Sequence, residues 1–165
     1  MEKRSNLWWD RFFLGMAEYM SRASKDPSTK VGAVLVEPHN NIVVGLGYNG
    51  FPRKVHDTVE RYQNREMKYQ LVVHAEVNAI LMAGEKAQGS HLYVYPSFAL
   101  PPICNECCKV AIQAGVQHII GYIPNETDER VKRWKDSISI SKQMCNEANV
   151  LFHGVLPNPD DLPVR

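Results

Sequence analysis

The spacing of hydrophobic residues changes early in the chain, from a helical repeat to two short continuous runs. Trp9 and Phe13 belong to a series of apolar residues that recur every three or four positions, which predicts an amphipathic helix over 7–24. The runs at 31–36 and 42–48 are almost entirely apolar, and the segment between them is rich in turn-forming residues. These patterns predict a helix followed by a β-hairpin.

Further along, longer helical patterns alternate with short apolar runs. Helical spacing predicts helices at 74–83, 105–114 and 127–148. Apolar runs predict strands at 92–95, 118–123 and 150–152. The first two of these helices should end at Gly84 and Gly115, and Thr127 can cap the third. Alternation at 137–141 leaves a strand open as an alternative to helix there.

The segment 49–73 is polar and has no clear period, so we expect a long functional loop with a short helix near its end. The predicted order α-β-β-α-β-α-β-α-β indicates an α/β fold, a mixed five-stranded sheet flanked by helices. Its last three strands should be parallel and joined by right-handed crossovers. The 165 residues suit one domain over 1–165, with a loose tail at 157–165.

Charge and hydropathy exclude several classes of function. The formal net charge is only +1, which disfavours binding of a nucleic-acid polymer through its phosphates. The longest apolar run, 42–48, is far shorter than the ~18 residues of a membrane span. Asp10 and Arg11 interrupt the apolar N-terminal residues before a signal-peptide core could form, so we expect a cytoplasmic protein without membrane contact.

The candidate chemistry lies at the starts of two neighbouring predicted helices. His74-Ala-Glu76 opens one of them, and Cys104-x-x-Cys107 opens the next. One imidazole and two thiolates suit tetrahedral zinc with a fourth position left for water, and a nearby glutamate can carry protons. Cys108 would offer an alternative Cys-x-x-x-Cys spacing, while Cys108 and Cys145 otherwise suit small core positions.

This combination resembles the zinc-dependent cytidine and deoxycytidylate deaminases over about 9–123. The stretches 24–33 and 47–52 are closer to the deoxycytidylate deaminases within that family. The resemblance implies a three-layer cytidine-deaminase-like fold. It also implies hydrolysis of dCMP to dUMP and ammonia, which supplies the precursor for dTMP synthesis. A related cytosine nucleoside, base or modified nucleotide is the alternative, ahead of an RNA-editing deaminase or a non-enzymatic zinc module.

The resemblance also implies roles for particular residues. His74, Cys104 and Cys107 would bind one Zn²⁺ per chain, and Glu76 would be the catalytic acid and base. The substrate would be contacted by Ser28, Asn49 and Ala75. Relatives are commonly homo-oligomers, and many respond to dCTP and dTTP with Mg²⁺, so these effectors and a homo-oligomer are expected.

The sequence leaves the roles of several other positions open. The residues before Cys104 depart from the family's Pro-Cys-x-x-Cys by one inserted residue, which leaves the pocket shape and the substrate open. Asn49 lies between Tyr48 and Gly50, where it could serve only as a turn residue. The charges at 53–68 could bind a nucleotide phosphate or could simply be solvated. The other five histidines lack ligand spacing and have no assigned role.

Overall fold

The computed structural model describes residues 4–125 and 127–157. These residues form six α-helices, one short 3-10 helix (Gly84–Ala87) and five strands. The helices are α1 (Asn6–Ser21), α2 (Val59–Gln63), α3 (Arg65–Leu71), α4 (Ala75–Ala83), α5 (Asn105–Gln113) and α6 (Glu129–Glu147). The strands are β1 (Gly32–Glu37), β2 (Ile42–Tyr48), β3 (His91–Tyr95), β4 (His118–Tyr122) and β5 (Leu151–Val155).

The strands form one mixed sheet in the order β2-β1-β3-β4-β5. Strand β1 is antiparallel to both β2 and β3, whereas β3, β4 and β5 run parallel to one another. The predicted hairpin, the five-stranded sheet and the parallel pairing of its last three strands are therefore confirmed.

Alternate residues of each central strand pack on opposite faces of the sheet. Leu35, Leu92 and Ile119 belong to the core between the sheet and helices α4, α5 and α6. Val34 and Ile120 belong to the second core, beneath α1. The helices therefore form a layer on each face of the sheet, as strand alternation requires when both faces are covered.

Two glycines of β2 allow α4 to lie directly on the strand. A β-carbon on Gly47 would lie 2.1 Å from the carbonyl oxygen of Ala75, and one on Gly45 would lie 2.3 Å from that of Ala79. Such distances are impossible for a side chain, so only glycine permits this approach. The first turn of α4, which carries His74 and Glu76, is thus held backbone against backbone.

Residues 49–58 have no helix or strand, as expected, but 59–71 contain two short helices, α2 and α3, where one was expected. Asn64 joins them: it ends α2, and its side chain accepts a hydrogen bond from the Met67 amide at the start of α3. The rings of Phe51 and Tyr62 stack 4.3 Å apart and fix α2 to the preceding turn.

Helix α6 is continuous through 137–141, so the strand alternative there is wrong. The Ser141 hydroxyl donates to the Ser137 carbonyl one turn earlier, which satisfies a polar group on the buried side of the helix. The N-cap is Asp128 rather than Thr127, because the Asp128 carboxylate accepts from the Arg130 amide. Thr127 instead donates its hydroxyl to Asn125.

The predicted loose tail lies outside the described residues apart from position 157. Within the described ranges, no helix combines the length and the apolar character needed to cross a membrane.

A hydrogen-bonded network joins α1 to the parallel strands on the face opposite α4. The Asp10 carboxylate accepts from the Tyr93 hydroxyl at 2.9 Å and lies 3.1 Å from His153 Nε2. His153 Nδ1 lies 2.8 Å from His118 Nε2. Because a carboxylate can only accept, Asp10 favours the tautomer of His153 that leaves Nδ1 to accept from His118. The ring of His91 lies 5.0 Å from that of His118.

We expect this network to make folding stability fall in mild acid. Burial, followed by the nearby His153 and His91, lowers the pKa of His118 to about 4 from 6.5. A lowered histidine pKa means that the unfolded chain binds the proton first, so stability is complete above pH 6.5 and is lost towards pH 4. For this half-buried ring the loss between pH 7.5 and 5 should be on the order of 1 kcal/mol.

Urea unfolding of wild type and His118→Gln at the two pH values measures this loss. The variant should lose less stability than wild type on acidification, because glutamine does not titrate. His56→Gln, at an exposed position, is the matched control and should follow wild type. Parallel losses in wild type and His118→Gln would contradict the assignment.

Candidate active site

Two helix N-termini converge at the predicted site. His74 is the N-cap of α4, and Cys104 is the N-cap of α5, where its sulfur accepts from the Cys107 amide at 3.5 Å. Glycine-mediated packing on β2 fixes the start of α4. The contact between α4 and α5 brings the second N-terminus beside the first. The fold therefore brings the three candidate ligands, His74, Cys104 and Cys107, close together.

The geometry of this group fits zinc. His74 Nδ1 lies 3.4 Å from Cys104 Sγ and 3.2 Å from Cys107 Sγ, and the three donor atoms all lie within 4.8 Å of one another. Tetrahedral zinc, at about 2.0–2.1 Å from nitrogen and about 2.3 Å from sulfur, would separate these atom types by about 3.5 Å. The donor set and its spacing therefore match a zinc site with three protein ligands.

Electrostatics within the group also favour a cation. Hydrogen bonding from Cys107, together with His74, lowers the pKa of Cys104 to about 4. The contact with Cys104, followed by burial, raises the pKa of Cys107. Cys104 thus favours the thiolate and Cys107 the thiol, and the hydrogen bond with Cys104 raises the pKa of His74 to about 9. A divalent ion favours the second thiolate as well, which is how thiol ligands bind metals.

Glu76 lies in the first turn of α4 and is only 5% exposed. Burial is the main reason that its pKa is raised to about 7; the neighbouring His74 opposes burial, and Cys104 acts in the same direction as burial. The side chain lines the same pocket as His74 and Cys104. A buried carboxyl group that shares a pocket with a metal-ligand set is suited to proton transfer.

One part of the pocket wall comes from the turn before β1, from the residue that follows β2, and from α3. It includes Asp26, Thr29, Asn49 and Lys68. Asn49 is buried, accepts from the Val31 amide at 2.8 Å and donates to the Thr29 carbonyl at 2.9 Å. Half of the hydrogen-bonding capacity of its side chain therefore holds the turn in place, and the other half is available at the pocket.

Two other predicted substrate contacts lie beside the pocket lining rather than in it. Ser28 is exposed, donates to Asp26 and accepts from the Lys68 ammonium, so it supports two residues that do line the pocket. Ala75 is fully buried at the first position of α4. Backbone amides at such positions lack partners within their own helix.

Another part of the wall comes from the segment before α5, where the sequence left the pocket shape open, and from α6, which the sequence did not indicate. Arg130, Arg133, Trp134 and Ile138 line the pocket from one stripe of α6. Ser137, on the same stripe, accepts from the Asn105 amide at 3.0 Å and donates to the Asn105 side chain at 2.8 Å. Helical spacing of three and four residues could have identified the stripe, but not the surface that it faces.

Cys108 points away from this group. Its sulfur lies 3.6 Å from that of Cys145 and 3.7 Å from the Ser141 carbonyl, and both cysteines are fully buried. The Cys-x-x-x-Cys alternative thus has no support in this geometry, because the Cys108 side chain packs between α5 and α6.

The site and the fold define a known class of protein. Residues 7–123 match the family described as the cytidine and deoxycytidylate deaminase zinc-binding region, and the chain belongs to that family. Among curated relatives, an uncharacterized deaminase in the luxG 3′ region of Aliivibrio fischeri is 38% identical, covering 86% of this chain and 90% of that protein. The deoxycytidylate deaminase of Homo sapiens is 35% identical over 92% of this chain and 82% of its own length.

Solved structures show the same fold. The dCMP deaminase of cyanophage S-TIM5, determined in complex with dCMP and dUMP, is 24% identical and has a TM-score of 0.66, covering 92% of this chain and 99% of that one. RibD of Acinetobacter baumannii is 21% identical with a TM-score of 0.61, covering 91% of this chain and 36% of that one. The fold is therefore cytidine-deaminase-like, as expected from the sequence.

Proposed function

We propose that this protein hydrolyses dCMP to dUMP and ammonia, and so supplies the precursor of dTMP. The observation that carries the proposal is the group of His74, Cys104 and Cys107 in a pocket shared with the buried Glu76. The 35% identity to the human deoxycytidylate deaminase, over most of both chains, supports dCMP as the substrate.

His74, Cys104 and Cys107 would hold the zinc ion, and Glu76 would transfer protons. When bound, zinc supplies Lewis-acid chemistry by lowering the pKa of a water molecule to about 7, which makes a nucleophile available at neutral pH. Glu76 takes up a proton from the water that adds to carbon 4 of the pyrimidine, and delivers that proton to ring nitrogen 3. It then assists protonation of the amino group on carbon 4, which leaves as ammonia.

The remaining candidate residues would position the nucleotide. Asn49 has one amide hydrogen and one oxygen lone pair free for the sugar and base. The backbone amide of Ala75 would contact the pyrimidine edge, and Ser28, which is bonded to Asp26 and Lys68, would act near the sugar. Holding the ring against Glu76 in one orientation removes much of the entropic barrier to proton transfer.

We expect dCMP to be used far better than deoxycytidine by the wild-type protein. A charge-assisted contact with the 5′-phosphate adds binding energy that positions the ring, so kcat/KM should favour dCMP by about 10²-fold or more. Ammonia release from dCMP, deoxycytidine, cytosine and 5-substituted dCMP measures this preference.

The result with each compound in that panel tests a different alternative function. Equal use of deoxycytidine or cytosine would replace the nucleotide assignment with a nucleoside or base deaminase. A strong preference for a 5-substituted nucleotide would assign a modified substrate, which the pocket residues Pro96, Phe98 and Ile103 would then have to accommodate. No ammonia from any cytosine compound would contradict the deaminase proposal.

The proposal also includes the cellular compartment, the oligomeric state and the effectors of the protein. Four unpaired, buried cysteines suit a reducing compartment such as the cytoplasm. A homo-oligomer and regulation by dCTP and dTTP remain expectations from the family resemblance. Magnesium has no comparable support, because the described residues hold one close group of three metal-donor side chains, and that group has the donor chemistry of zinc.

A further inference from the structure

The proposed substrate brings a phosphate group into the pocket, and the charged side chains there are unequally available to bind it. The cations that line the pocket, apart from His74 beside the thiols, are Lys68, Arg130 and Arg133. The other basic residues of 53–65 lie outside the pocket lining. The binding of a phosphate dianion therefore depends on which of these three cations is free.

Lys68 is already neutralised. Its ammonium group lies 3.2 Å from Asp26 Oδ1 and 3.1 Å from Asp26 Oδ2, and it donates to the Ser28 hydroxyl. The Lys68 side chain is only 9% exposed and that of Asp26 only 4% exposed. An ammonium group has three hydrogens, and these contacts occupy them. Breaking a buried ion pair to bind a phosphate would leave the Asp26 carboxylate uncompensated.

The Arg130 guanidinium is also occupied by contacts within the protein. Its guanidinium donates to Asp128 through Nε at 2.9 Å and through a terminal nitrogen at 2.6 Å, which is a two-point contact with one carboxylate. The same guanidinium lies 4.5 Å above the ring of Phe98. Through these contacts Arg130 links the segment before α5 to the start of α6, so its role in the pocket wall is structural.

Arg133 differs from Lys68 and Arg130 in the contacts that its side chain makes. It lies one helical turn after Arg130 on the same stripe of α6, lines the pocket, and is exposed. Within residues 4–125 and 127–157 it has no hydrogen bond or ion pair. Among the described residues its guanidinium thus has no carboxylate partner, and its planar donor pairs match phosphate oxygens.

We propose that Arg133 binds the 5′-phosphate of the substrate and so makes this pocket selective for nucleotides over nucleosides. The inference rests on the proposed function and extends it by assigning the phosphate contact to α6 rather than to the basic segment 53–68. Arg133 and Asn49 line the same pocket but belong to different elements, α6 and the end of β2, so one nucleotide would contact both.

The test compares Arg133→Met with Lys132→Met, using kcat/KM for dCMP and for deoxycytidine. Lys132 is exposed on the same helix and lies outside the pocket lining, so its variant removes one charge without touching the site. Arg133→Met should lose about 10- to 100-fold in kcat/KM for dCMP and none for deoxycytidine. Lys132→Met should keep the wild-type ratio, and Arg133→Lys should retain part of it.

Binding of dUMP and deoxyuridine, measured by calorimetry, checks the same contact without turnover. Arg133→Met should weaken dUMP by a similar factor and leave deoxyuridine unchanged. An unchanged preference for dCMP, an equal loss for both substrates, or an equal effect of Lys132→Met would each overturn the assignment of Arg133. Failure of the wild-type protein to turn over dCMP would be a failure of the proposed function instead, and the two results are separated by the wild-type assay.

Discussion

Glu76→Gln should reduce the turnover of dCMP by at least about 10²–10⁴-fold while the protein remains folded and retains its zinc. Glutamine has nearly the same shape as glutamate, but its amide cannot accept a proton and return it. Because the same carboxyl group would serve both ring nitrogen 3 and the departing amine, its loss affects more than one transfer. Ammonia release and metal content, measured on the same preparation, separate the loss of chemistry from the loss of the site.

Glu85→Gln provides the matched control for this experiment. Glu85 is an exposed glutamate just beyond the C-terminal end of α4, so the same chemical change is made far from the pocket. It should leave turnover and zinc content at wild-type values. Near-normal turnover in Glu76→Gln would rule out Glu76 as the proton carrier, whatever the control shows.

Cys107→Ser should remove zinc from the purified protein, whereas Cys108→Ser should leave about one zinc per chain. Of these two cysteines, Cys107 has its sulfur 3.2 Å from His74 Nδ1, while the sulfur of Cys108 faces Cys145. Loss of an outer partner of a metal ligand weakens binding about 10–100-fold, and loss of a ligand itself should exceed that. Metal analysis after dialysis gives the zinc content directly.

The pair of adjacent cysteines makes this a controlled comparison. Both are buried, both become serine, and both lie on α5, so a general loss of packing would affect the two variants alike. Circular dichroism checks that each variant is folded. Zinc retained in Cys107→Ser and lost in Cys108→Ser would reverse the ligand assignment.

The strands and most helices could be predicted because their signals are local. Apolar runs and three-to-four spacing report which residues are buried within one element. The start of α4 was predictable for the same reason, since His74 and Glu76 stand two residues apart at a helix entrance. Helices α2 and α3 were missed in part because they are short, at 5 and 7 residues, and depend on Asn64 to join them.

Contacts between distant segments could not be predicted. His91, His118 and His153 show no motif in the sequence, and they meet because each lies on the same face of one of three parallel strands. The pocket wall from α6 has the same origin. The sequence indicates an amphipathic helix, but contacts with α5, such as those of Ser137 with Asn105 and of Cys145 with Cys108, determine which of its faces lines the pocket.

The close approach of α4 to Gly45 and Gly47 makes one part of the pocket much less tolerant of substitution than the rest. A helix usually rests on a sheet through a layer of side chains, and substitutions in that layer shift the helix. Here backbone touches backbone, so substitutions elsewhere in the core should leave the position of His74 and Glu76 on the sheet nearly unchanged. The wall formed by α6 and 96–103 consists of side chains, several of them on the pocket surface. New substrate preferences could therefore arise on that wall, by exchange of single side chains, without a change in the reaction itself.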